Sequence, residues 1–495
     1  MKKTLLITVL TLFTTIAVLA QNDDPLIMED FAKGIKGSNT FAFNDHLNVM
    51  QVTTDDDKFD LVAVNDKLEI VWRTSLAGYG IKTDKFQNKI VALASSDHSF
   101  FKGTTNTFLA YVIDPANGKV LAEKVVYKST NDLVEFPQMY TGDGAFFKLA
   151  VRQSGFARKI HVGIPIYSLF TMNSYTREYN ETRNLQVIEY NDKLDSISAF
   201  KPVISNGTFI SLAWNKHADM FIGWLNGPTI EVYKYDAGKT KPSNMLTADV
   251  VFKEDKSIIP SEHFMLKPSD NSNVLYYSMI YVNEDKDGEL GIGKLDFATN
   301  KKLYVAQALD KATLKAIKKS FVPVNKKIDD VDMGYGKGMK LLYMDELDGK
   351  VVTAIASHST RASAISNGVF MIENSILINA YDQNLALKFQ NVLPTGYIYP
   401  SRHLKTSFHF NKNKLYMVSN AKTGMTTLSG LFSILDIGNG QWDKMEYLSK
   451  KHISNSDYSD GSSVLWFSNN FIVPYLSPKM FSATKTDVTL QLNNY

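Results

Sequence analysis

Arginine is the scarce cation of this chain: seven arginines stand against 47 lysines in 495 residues. Four of the seven, Arg152, Arg158, Arg177 and Arg183, fall in or beside the stretch 154–183, together with His161, Tyr167, Tyr175 and Tyr179. A guanidinium offers a planar fork of donors to carboxylate or phosphate and stacks on aromatic rings. Arginine with aromatics is also the composition of protein interfaces. The chemistry expected of these eight residues is recognition of a partner. The competing expectation is a loop whose arginines pair with Glu178 and Glu181 and whose rings pack on the body of the protein.

Other spacings promise less. "GELGIGK" (288–294) has phosphate-loop glycines and a lysine, but Leu295 stands where a magnesium-binding hydroxyl belongs, and strands flank both sides. "NEDKDGELGIGKLD" (283–296) begins like a calcium loop, yet its twelfth position is Lys294 rather than a bidentate Glu, so it reads as an Asp-Gly hairpin turn. His403 and His409 share one face of an extended strand but lack further ligands, and neither HExxH nor GxSxG occurs. No metal, cofactor or catalytic residue is assigned.

The elements that must position these residues are short strands. One phrase recurs: an apolar strand, an Asp/Asn turn, another strand. It reads "FDLVAVNDKLEIVW" (59–72), "LAYVIDPANGKVLAEKVV" (109–126), "LQVIEYNDKLDSI" (185–197), "LGIGKLDFATNKKLYVA" (290–306), "ILINAYDQNLALKFQ" (376–390) and "LFSILDIGNGQW" (431–442). Alternation in "KLEIVW" and "TIEVYKY" marks half-buried strands. A repeat of several tens of residues built of strand and turn predicts an all-β radial array. Grouped in fours, the strands give a β-propeller of seven or eight antiparallel blades, with eight favoured, and an N-terminal strand completing the last sheet so that the ring closes. Two stretches fall outside the pattern. One is the insertion 154–183. The other is the connector 309–338, where Leu309, Leu314, Ile317 and Phe321 suit one short amphipathic helix.

The phrase "VIDPANGKVLAEKVV" resembles the repeat of quinoprotein-type and other secreted β-propellers, in which an Asp, a Gly and a Lys form the turn between the two outer strands. Asp114, Gly118 and Lys119 match it. Asp66 with Lys67, and Asp296 with Lys301, match without the glycine. The resemblance implies architecture only. The tryptophan usual on the outer strand of such blades has one counterpart, Trp72, so no quinone cofactor or ligand set carries over.

Residues 1–20 read as a secretory signal: Lys2 and Lys3, an apolar run from Leu5 to Leu19, and Val18 and Ala20 before a cut ahead of Gln21. Cleavage there removes two lysines and no acid, which leaves a nearly neutral chain, unlike a nucleic-acid binder. With no cysteine anywhere, disulfides, thiolate metal sites and a lipoprotein anchor at the cut are excluded. The expected protein is residues 21–495 as one propeller domain, periplasmic or secreted, without a membrane span. It is expected to act as a binding or scaffold module for a protein or glycan partner. The alternative is a propeller hydrolase or lyase acting on polymer fragments at the central axis. Oligomeric state is left open.

Overall fold

The computed structural model describes residues 25–98, 105–133, 135–142, 146–154, 182–227, 229–249, 264–282, 287–362, 369–400, 404–423, 427–449, 453–454, 457–479 and 482–495. Its strands form eight antiparallel sheets, which we number as blades. Blade 1 holds Gly37–Asn44, Leu47–Thr53, Lys58–Asn65 and Ile70–Ala77 from first strand to fourth. Blade 2 runs from Tyr79–Phe86 to Val120–Leu133, and blade 3 from Gln138–Tyr140 through Phe147–Ser154 and Thr182–Tyr190 to Ser196–Phe200. Blade 4 spans Thr208–Trp214 to Asn244–Asp249, and blade 5 Phe264–Pro268 to Lys301–Leu309. Blade 6 spans Met339–Leu347 to Leu387–Leu393, and blade 7 Ser407–Asn411 to Trp442–Tyr447. Blade 8 takes Asn470–Lys479 and Ser482–Asn494 from the end of the chain and Ile27–Ile35, its outermost strand, from the beginning. The eight-bladed reading and the closure by an N-terminal strand are both as expected.

Because side chains alternate across each sheet, every blade has two apolar faces, one for each neighbour. The buried apolar residues accordingly fall into eight clusters, one per seam between blades. The recurring Asp/Asn turn joins the third and fourth strands and docks on the seam with the preceding blade. Its acid or amide oxygen caps the turn: Asn191 Oδ1 accepts the Lys193 and Asp195 amides, and Asp382 Oδ1 those of Asn384 and Ala386. One version puts a leucine three residues on into the left-handed region, at Leu68 (φ 64°), Leu194 (63°) and Leu385 (62°). That conformation is unfavourable for a side chain, and burial of each leucine in the seam core offsets it. The other version puts Gly118 (72°) or Gly440 (73°) there, with Asn300 (56°) in the same role on blade 5. The two turns that lacked the glycine of the resemblance thus reach the same backbone state with Leu68 and Asn300.

The connector contains the expected helix, α1 (Lys311–Ser320). Asp310 Oδ1 caps it by accepting the Thr313 amide at 2.7 Å, and Leu314 and Ile317 bury into the seam of blades 5 and 6 with Leu309 and Phe321.

Candidate functional site

An antiparallel four-stranded blade has two ends. First-to-second and third-to-fourth connections share one, the turn face. Second-to-third and blade-to-blade connections share the other, the connection face. The turn face is uniformly tight, and its longest stretch is 236–243. Every long connection opens on the opposite face: 155–181 between Phe147–Ser154 and Thr182–Tyr190, 250–263 between blades 4 and 5, 310–338 between blades 5 and 6, and 394–406 between blades 6 and 7. Rigid sheets carrying long loops at one end are the usual arrangement for binding.

Two constellations stand on the connection face. Over blades 2 to 4, Arg152 lies with its side chain only 8% exposed, its guanidinium forked onto the Glu135 carboxylate, donating to Thr182 Oγ1 at 3.1 Å and sitting 4.7 Å from the Phe209 ring centre. Beside it the rings of Tyr79, His98 and Phe136 cluster with centres 4.3 to 5.8 Å apart, Tyr79 stacked on Phe136 and His98 tilted against both. Burial and the nearby Asp56 raise the Tyr79 phenol above its ordinary value, so it stays a neutral donor.

The second constellation is on blade 6. Its middle strands, Lys350–Ala362 and Val369–Tyr381, run on past the ring, and Tyr397–Pro400 adds a fifth strand to this extension. At its base His358 Nε2 meets Glu373 Oε2 at 2.6 Å, and Tyr397 OH approaches the same oxygen at 3.4 Å while donating to the Leu404 carbonyl at 2.6 Å. Glu373 is 2% exposed, and burial raises its carboxyl above the ordinary range, against the pull of His358. Next to this chain lies a cleft of about 210 Å³ between blades 6 and 7. Its floor includes Glu373, Thr395 and Tyr397, and its rim includes Asp330, Lys422 and Tyr447. At that size it has room for a small polar group rather than a large ligand. The connector is laced across it, with Asn325 Nδ2 donating to the Met445 carbonyl and Tyr447 OH to the Lys327 carbonyl.

Of the residues expected to bind a partner, Arg158, His161, Tyr167, Tyr175, Arg177 and Tyr179 lie outside the described residues. Arg152 is buried in the clamp above, and Arg183 is exposed on Thr182–Tyr190. His358, Glu373 and Tyr397 escaped sequence reasoning because they come from three separate strands. The one signal was a Glu inside the apolar run "VFMIENSILINAY". "GELGIGK" lies wholly in the strand Gly288–Asp296, which settles it as sheet rather than phosphate loop. His409 stacks on Trp466 with centres 5.1 Å apart, while His403 lies outside the described residues. Among the described residues no group of three or more His, Asp or Glu could hold a metal ion, and no helix is long and apolar enough to cross a membrane.

No family model matches the chain, and no curated protein matches it. Solved structures do. The WD40 domain of SCAP from fission yeast is similar over 95% of this chain and 98% of its own, with a TM-score of 0.41 and 9% identity. A prolyl endopeptidase has a TM-score of 0.45 and 8% identity over 92% of this chain, which spans only 56% of that protein. The quinohemoprotein alcohol dehydrogenase of Comamonas testosteroni has a TM-score of 0.39 and 9% identity over 94% of this chain and 76% of its own. At such scores the likeness carries no functional argument, and the fold rests on the chain's own strand pairing.

Proposed function

We propose that this propeller is an exported binding or scaffold module that takes its partner, a protein or a glycan, on the connection face. The observation that carries this reading is the segregation of connections: tight turns, many of them capped by an Asn or Asp side chain, at one end of the blades, and the long connections at the other. Two features fit it. The stretch 155–181 joins two strands at that end, the extension of blade 6 rises from it, and Tyr335 there is 75% exposed. The apolar run at residues 1–20 supports export, and N-terminal sequencing of envelope material should find Gln21 first.

The native chain has no cysteine, so single cysteines can carry a photo-crosslinker on either face. Labelled Tyr335→Cys on the connection face should capture a discrete partner from the parent envelope. Labelled Lys193→Cys, in a turn on the opposite face, should not. Equal capture from both positions, or capture from Lys193→Cys alone, overturns the assignment of the face.

A further inference from the structure

Each outer strand ends its sheet, so its outer edge is unpaired among the described residues. Such edges invite pairing with other chains, and proteins blunt them with charge. Seven outer strands here include at least one charged residue, from Arg73 on blade 1 to Lys33 on blade 8. The outer strand of blade 3, Ser196–Phe200, alone has none. Four of its five residues are exposed. Ile197 is 50% exposed, and Val203 and Ile204 just beyond the strand extend the apolar rim.

The sequence around this strand is complementary to itself. Turned about a two-fold axis at Ser198, a second copy lies antiparallel, with Ser198 facing Ser198, Ile197 facing Ala199 and Ser196 facing Phe200. The flanking charges then meet with opposite sign, the Asp195 of each copy facing the Lys201 of the other. Both residues are exposed. Asp195 already receives Lys124 at 2.9 Å, so Lys201 would join an existing pair rather than create a buried one. An isologous contact needs one patch to match itself about a two-fold axis. We infer that two copies of this chain associate through the blade 3 edge, Ser196–Phe200 against Ser196–Phe200, in a continuous antiparallel sheet. A five-residue edge is small for an interface, so the association is weak and concentration-dependent.

The absence of native cysteine makes the register testable in the full chain. Directly opposed antiparallel residues have Cα atoms about 4.5–5.5 Å apart, within the disulfide range of about 4.4–6.8 Å. Under mild oxidation Ser198→Cys should form a covalent dimer roughly tenfold faster than Ile197→Cys, whose own copy lies on the diagonal at about 7–8 Å. In sedimentation, the native protein should shift toward doubled mass as concentration rises. Asp195→Lys should weaken that shift, and Asp195→Lys with Lys201→Asp should restore it. Monomer at every concentration, equal cross-linking at both cysteines, or no restoration by the charge swap overturns the inference. A native chain that stays monomeric while envelope extract protects this edge from hydrogen exchange assigns it to another protein's strand and equally overturns self-pairing. None of these outcomes bears on the connection face, which is a different surface of the ring.

Discussion

Gly118 tests how the blades lock together. It lies in the turn of blade 2 at φ 72°, against the outer strand of blade 1. There Trp72 Nε1 donates to the Pro115 carbonyl at 2.7 Å, and Thr74 Oγ1 to the Gly118 carbonyl at 2.7 Å. A methyl at position 118 would stand 2.5 Å from Thr74 Oγ1 and 2.6 Å from Trp72 Cε3. The indole cannot yield, because its own hydrogen bond and the seam core hold it. Gly118→Ala therefore combines two effects: the left-handed backbone, about 1–2 kcal/mol, and overpacking, about 1–3 kcal/mol. Gly238, at φ 73°, separates them, since nothing lies within 4 Å of a methyl there. Urea midpoints at a shared slope should show Gly238→Ala losing about 1–2 kcal/mol and Gly118→Ala about 2–5 kcal/mol. Trp72→Ala alone should lose about 3–5 kcal/mol, and in its background Gly118→Ala should lose less than it does in the native protein, though more than Gly238→Ala while the Thr74 contact remains. Equal losses for the two glycines in the native background refute the docking argument.

The leucine version of the turn predicts the opposite balance: Leu194→Ala should lose about 2–5 kcal/mol by emptying the seam, while Ala218→Gly (φ 66° at Ala218) should change stability by less than about 1 kcal/mol, as thermal midpoints will show. Glu373 keeps its proton in the folded state above the pH at which the unfolded chain gives it up, so the fold binds more protons and loses stability as pH rises through that window. Glu373→Gln should flatten that slope above the ordinary glutamate value of about 4.3, and parallel curves for the two proteins would disprove it. The backbone amides of Ala386 and Asn384 hold the Asp382 carboxyl below its ordinary value. Its contribution is present above about pH 4 and lost as pH falls through the lowered value, so Asp382→Asn should blunt acid unfolding in a pH-scanned urea titration.

The ring was legible because its signal is local and repeated. Strand alternation and the Asp/Asn turn each lie within one short window, and the turn's capping oxygen is a residue type the eye can find. The helix was legible for the same reason, with its apolar positions spaced by three or four. What was not legible is whatever depends on two distant windows meeting. Arg152 read as a free fork, yet Glu135 and Phe209, on either side in sequence, enclose it. His358, Glu373 and Tyr397 meet only because blade 6 overruns the ring, and nothing in their spacing records that overrun. The two glycine-free turns looked like weaker matches, although buried Leu68 and left-handed Asn300 do the glycine's conformational work.

The last sheet has a bearing on how the molecule is made. The Leu492 amide donates to the Leu26 carbonyl, and Ile27 faces Gln491 across the sheet, so strands more than 450 positions apart in the sequence lie side by side. During synthesis Ile27–Ile35 can pack Phe31 against blade 1 early, but its strand partner Ser482–Asn494 emerges more than 400 residues later. Joining Asn494 to Leu26 by a short flexible linker and opening the ring instead at Gly78, between blades 1 and 2, would let blade 8 form from contiguous chain and move the late step of assembly to another seam.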